Sequence, residues 1–148
     1  MEIRFTVEGW PPIKGEALSM FNRAHGQHER VKALLEAATA ALQGSSWNRR
    51  EERPIGLELI IREAPAQSMP ADATNALGGV ADVLQAWPAN VDSSPYDGLC
   101  VTPLFANDAQ IREVRYSVAV ERGDAPCYRV RVWLLDSLPG ASEGKGQP

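Results

Sequence analysis

Apolar residues recur in this chain with two different periods, and the order in which those periods alternate narrows the fold more than any other feature. Ile3, Phe5 and Val7 alternate with Arg4, Thr6 and Glu8, the period of two expected of a half-buried strand, and Gly9, Trp10, Pro11 and Pro12 stop it. From His28 to Gln43, residues Val31, Leu34, Leu35, Ala38, Ala41 and Leu42 share one side of a helix that Gly44 ends. The proline-bounded segment PIGLELIIREAP reads as a second strand with Ile55, Leu57, Leu59 and Ile61 facing one way. Leu77, Val80, Ala81 and Leu84 set a second helix over Thr74 to Gln85. Period two then returns in Val114, Tyr116, Val118 and Val120, and again in Tyr128, Val130, Val132 and Leu134. The intervening RGDAP turn is expected to close these two strands into an antiparallel hairpin. Strand, helix, strand, helix, strand, strand predicts an α+β (mixed α/β) domain with two helices packed on one face of a small mixed sheet.

At 148 residues the chain is long enough for one self-sufficient core, so the reading is a single domain over residues 1–136. The tail from Ser137, SLPGASEGKGQP, is small and polar and is expected to be disordered. Trp87 to Phe105 carries three prolines and no clear period, and reads as a long loop. No apolar run approaches the roughly 18 residues of a membrane span, and the start MEIRFTVEG lacks the pattern of a leader. The expectation is a soluble, cytoplasmic protein with no membrane partner. Cys100 and Cys127 have neither CxxC spacing nor a nearby histidine, and read as small buried apolar residues. His25 and His28, three apart with no third ligand near, read as surface residues.

The net charge of −4 is unevenly placed. Residues 1–53 hold eight basic and seven acidic side chains, residues 54–148 seven basic and twelve acidic. Between Arg62 and Arg112 there is no Lys or Arg at all, while Asp72, Asp82, Asp92, Asp97 and Asp108 fall inside that stretch. A surface that neutralises nucleic-acid phosphates is not built this way unless a divalent cation stands between carboxylates and phosphates.

The second helix is where such a site would form. Asn75 and Asp82, seven residues apart, project from one side, away from Leu77, Val80 and Leu84. Gly78 and Gly79 between them each cost about 1 kcal/mol relative to alanine, so close approach of a backbone, a ligand or another helix is expected there. Asp72 precedes this helix and Asp108 the third strand; if the two elements are neighbours, these carboxylates converge into a hard-oxygen site suited to Mg²⁺. A plainer reading stands beside it: Asp72 and Thr74 are natural N-caps, Asn107 and Asp108 form an ordinary turn, and Asp82 is a solvated face residue. Basic residues cluster on the last two strands, where Arg129 and Arg131 share a face with Trp133 and Arg115 lies nearby in sequence. They form either a phosphate-contact strip or a plain solvent face. Lys14 and Arg23 are further basic residues within reach of a phosphate or simply surface charges, and the four tryptophans read mostly as core or interface groups.

Three segments, IRFTVEGWPP, DATNALGGVADVLQ and NDAQIREVRYSV, together resemble the RusA family of Holliday-junction resolvases. That family carries an Asp-x-Asp-Asn motif, a later Asp with a Leu two beyond it, and an acidic pair before an apolar strand. Asp72 matches the first aspartate, Asn75 the asparagine, Asp82 with Leu84 the continuation and Asp108 the last aspartate. The resemblance implies a small mixed α/β homodimer that cuts branched DNA with Mg²⁺ in recombination and repair. In that reading Asp72 and Asp108 are the principal metal ligands, Thr74 and Asn75 support them, and Asp82 joins the two aspartates as a catalytic residue. Lys14, Arg115, Arg129 and Arg131 would meet the DNA. This chain departs from the family twice: Thr74 stands at the second aspartate and Gly78 at a lysine that helps with the DNA. The departures leave two readings, a divergent metal-dependent endodeoxyribonuclease and a non-catalytic dimeric binding or regulatory module.

Overall fold

The computed structural model describes residues 1–14, 27–87, 96, 103–119 and 121–135. The chain runs β1 (Glu2–Glu8), α1 (His28–Leu42), β2 (Ile55–Arg62), α2 (Ala73–Leu84), β3 (Ile111–Val118) and β4 (Cys127–Leu134), with a short 3₁₀ turn at Asp108–Gln110 leading into β3. Every element expected from the periodicity is present, and the domain is α+β with a mixed four-stranded sheet. The tail from Ser137 and most of the 87–105 connection lie outside the described residues.

Strand order is β1-β4-β2-β3, with β4 antiparallel to both neighbours and β2 parallel to β3. The expected hairpin is therefore not formed: β3 and β4 run in opposite directions, but β2 lies between them. Period-two alternation reads the same at an edge as at the centre of a sheet, so it is silent on this choice. Burial decides it. Tyr128, Val130 and Val132 of β4 are buried, whereas Val114 and Val118 of β3 are 56% and 40% exposed, as an edge strand tolerates. Residues 119–126 between the two strands are also more than the two-residue turn of a tight hairpin, and long enough to cross the end of β2. β4 fills the gap that the β1–α1–β2 crossover leaves in the sheet.

Because side chains alternate across a strand, one parity forms the core: Ile3 and Val7, Ile55, Leu57, Leu59 and Ile61, then Tyr128, Val130 and Val132. These pack with Val31, Leu34, Leu35, Ala38 and Leu42 of α1 and with Ala76, Val80, Val83 and Leu84 of α2. The other parity forms a face that no helix covers among the described residues. In register there, Trp133 lies over Gly56, where a Cβ would collide with the indole ring, and the Arg131 and Arg115 guanidiniums sit 4.6 and 5.3 Å from the Trp133 ring.

Three further placements differ from expectation. His28 is not a surface residue; it stacks on the buried Tyr96 with ring centres 5.1 Å apart. Cys127 is only half-buried, since it opens onto the helix-free face, and Cys100 lies outside the described residues. Leu77 is only partly buried while Gly79 is fully so, because the chain before α1 packs on the glycine side of α2.

Candidate functional site

Two segments far apart in sequence converge on α2. The first is the strap Pro11–Lys14. Its Pro12 carbonyl lies so close to Gly79 that a Cβ there would overlap the carbonyl oxygen. The Lys14 N–H donates to the Asn75 carbonyl at 2.9 Å, and the aliphatic stem of Lys14 lies across Gly78, where a Cβ would stand 2.8 Å from Lys14 Cδ. Gln27 clamps the strap from the other side, donating through Nε2 to the Ile13 carbonyl and accepting the Ile13 N–H through Oε1. The glycine pair thus marks the approach of a backbone and a lysine stem, not of a second helix.

The second segment is Pro103–Gln110. Leu104 N–H donates to the Leu84 carbonyl and Ala86 N–H to the Phe105 carbonyl, so this stretch is laced to the C-terminal end of α2. Leu104 and Phe105 are fully buried, and Trp47 Nε1–H donates to the Leu104 carbonyl at 2.9 Å. Asn107 caps the turn that follows, in a reciprocal capping box with Gln110. Asp108 N–H then donates to Gln85 Oε1 at 2.9 Å, which fixes Asp108 beside the end of α2.

The electrostatics follow from this geometry. Asp82 is half-buried, its Oδ2 is sealed from solvent, and that oxygen has no hydrogen-bond partner among the described residues. Burial pushes its carboxyl above the usual aspartate range; the Lys14 ammonium opposes the shift, and the charge of Asp108 adds to it. Asp82 is therefore not the solvated face residue of the plainer reading. Its carboxyl lies within the electrostatic reach of Lys14 and Asp108.

Asp72 has a different task. It is the N-cap of α2, and its Oδ1 accepts the Asn75 N–H at 2.8 Å. Its charge acts on Tyr116, whose hydroxyl is raised above its ordinary range by burial first, then by Glu63 and Asp72. Thr74 and Asn75 are exposed. Among the described residues no three His, Cys, Asp or Glu side chains gather closely enough to hold a metal ion. Oδ2 of Asp82 is a buried carboxylate oxygen without a hydrogen-bond partner among the described residues, and the charge of the exposed Asp108 acts on it.

Of the arginines singled out for nucleic acid, Arg131 is paired with Glu2 at 3.3 Å and Glu58 at 3.8 Å, and Arg115 with Glu113 at 2.9 Å. Arg129 has no carboxylate within ion-pair distance among the described residues. All three lie on the helix-free face, across the sheet from Asp82. Lys14 is the one of the four that the fold brings to the carboxylates. Its signal in the sequence was the glycine pair at 78–79, not any pattern around Lys14 itself.

Compared with known proteins, the chain matches no family model and no curated sequence. No helix among the described residues is long and apolar enough to cross a membrane.

Proposed function

We propose that this protein is a divalent-cation-dependent endonuclease of the RusA type, acting on branched DNA in the cytoplasm during recombination and repair. One observation carries the reading: the solvent-sealed oxygen of Asp82, without a hydrogen-bond partner among the described residues and under the charges of Asp108 and Lys14, with Asp82 and Asp108 at positions where the sequence resembles that family. Asp82 and Asp108 would hold the cation through hard oxygen ligands. Mg²⁺ bound there supplies an activated water and charge stabilisation at the leaving oxygen. Lys14 brings the one positive charge of the group toward the scissile phosphate, its stem held on Gly78. Asp72 keeps the start of α2 in place, and Thr74 contributes a hydroxyl without charge. The exposed Val114 and Val118 on the outer strand support a homodimer through that edge.

A second reading, a non-catalytic binding module on the same fold, is favoured by the engagement of Asp72 as a cap and by Thr74 in place of a carboxylate. The experiment that separates them is incubation of the purified full-length chain with a synthetic four-way junction and Mg²⁺ or Mn²⁺, beside Asp82→Asn and Asp108→Asn. Symmetric nicking that both variants lose establishes the enzyme. Salt-sensitive binding without nicking establishes the module, and absence of both at low ionic strength overturns both.

A further inference from the structure

On the helix-free face the arginines are treated differently at its two ends. At the end that carries Trp133, each is answered by a carboxylate: Arg4 by Glu2, Arg131 by Glu2 and Glu58, Arg115 by Glu113. At the other end, Arg62 of β2 and Arg129 of β4 face the same side and have no carboxylate within ion-pair distance among the described residues. Glu8, opposite Cys127 in the register, pairs with neither. Glu63, beside Arg62 in sequence, lies on the other parity and pairs with Arg122.

These two arginines line an open cavity of about 400 Å³ together with Thr6, Ile60 and Cys127, and no carboxylate lines it among the described residues. Arg62 Cδ packs against Gly123, where a Cβ would stand 2.9 Å away, and Gly123 is itself tied by its N–H to the Glu63 carbonyl at 3.0 Å. Two guanidiniums on neighbouring strands, a threonine hydroxyl, and no acid among the described lining residues make the donor set of an oxyanion site.

We propose that this cavity binds a phosphate group, through Arg62 and Arg129 with Thr6 as a third donor. It lies across the sheet from Asp82 and Asp108 and is a separate site. The phosphate arrives either as a free or small-molecule anion or as one backbone phosphate of a nucleic-acid strand, and the two sources share this chemistry.

Cys127 in the wall gives a direct reporter. In the full-length chain carrying Cys100→Ser, inorganic phosphate slows the reaction of the Cys127 thiol with a disulfide reagent, saturably and at constant ionic strength set with chloride. It also shifts the amide resonances of Thr6, Cys127 and Arg129. Arg62→Gln and Arg129→Gln each weaken the phosphate effect by about ten-fold, the loss of one charge-assisted contact. Arg4→Gln at the paired end leaves it unchanged, and Arg129→Lys, which keeps the charge, retains most of it. Displacement of phosphate by a short oligonucleotide assigns the site to a strand; displacement by small organic phosphates alone assigns it to a free ligand. Equal protection by chloride and phosphate, or protection that survives the Arg62→Gln/Arg129→Gln double variant, overturns the proposal. Neither outcome depends on junction cleavage, so the site stands or falls apart from the nuclease reading.

Discussion

The turn at residues 48–53 and the C-terminal half of α2 each bury a carboxylate, and they treat it in opposite ways. Glu51 is 3% exposed and is answered in full: Asn48 Nδ2 donates to it, and Arg53 donates through its backbone N–H, its Nε and its Nη2. The Arg53 guanidinium, with those hydrogen bonds, outweighs burial and holds the Glu51 carboxyl down to about 2. Asp82 is half-buried and is answered at Oδ2 by no hydrogen bond among the described residues, and its carboxyl is pushed up. A fold that can supply four donors to one acid and leaves the other bare is using the first to hold itself together. The second costs stability, and it is the acid to which the proposed function assigns chemistry.

The largest test of this contrast is Glu51→Ala, which removes the bracket that joins the turn to the strand after it. It is expected to destabilise the chain by about 2 kcal/mol, read by chemical denaturation. In the parent, the sign for Glu51 is that of a depressed carboxyl: its contribution is complete above the unfolded value of 4.5 and is lost as the pH falls from there toward about 2. Acid denaturation of Glu51→Ala should lack that part of the low-pH loss; an unchanged acid limb would break the contrast.

The glycine pair comes next. Gly79→Ala drives a Cβ into the Pro12 carbonyl, which is backbone and cannot step aside, at about 1–3 kcal/mol less about 1 kcal/mol of helix propensity regained. Gly78→Ala meets only the flexible stem of Lys14, so its cost is near zero in thermal unfolding, while it displaces the Lys14 ammonium and lowers any Mg²⁺-dependent activity. Equal destabilisation by both would mean that the strap does not cross α2 where the structure has it.

The smallest effect, and the sharpest in sign, separates the two ends of α2. Asp72→Ala removes the N-cap and costs about 1 kcal/mol, whereas Asp82→Asn removes a desolvated charge and stabilises the chain by a few tenths of a kcal/mol at neutral pH. For Asp82 the folded value is raised, so its favourable contribution is present at low pH and disappears as the pH rises through that value; Asp82→Asn abolishes this dependence. Mn²⁺ or Mg²⁺ should raise the melting temperature of the parent and not of Asp82→Asn. Destabilisation by Asp82→Asn would place Asp82 with Glu51, among the residues that serve the fold.

The two helices and four strands were legible because each buries a face whose period is local: Leu34 and Leu35 of α1, or Leu57 and Leu59 of β2, announce their side within one or two turns or strand repeats. The role of Asp72 as a cap was legible for the same reason, since a cap needs only the three residues that follow it. Strand order was not, because alternation is the same for an interior and an edge strand, and it was the crossover gap between β1 and β2 that drew β4 inside and left β3 outside. The state of Asp82 was not legible either. Its seven-residue spacing from Asn75 assigns it to the polar side of α2. What buries it is the packing of Pro11–Lys14 and Pro103–Asp108 around that helix, contacts between residues tens of positions apart. Sequence periodicity determined the elements and their buried sides, since those obey local geometry. Only the tertiary structure decided which acid is answered and which is left bare, because desolvation and donor supply come from the chain that folds over a residue and not from its neighbours in sequence.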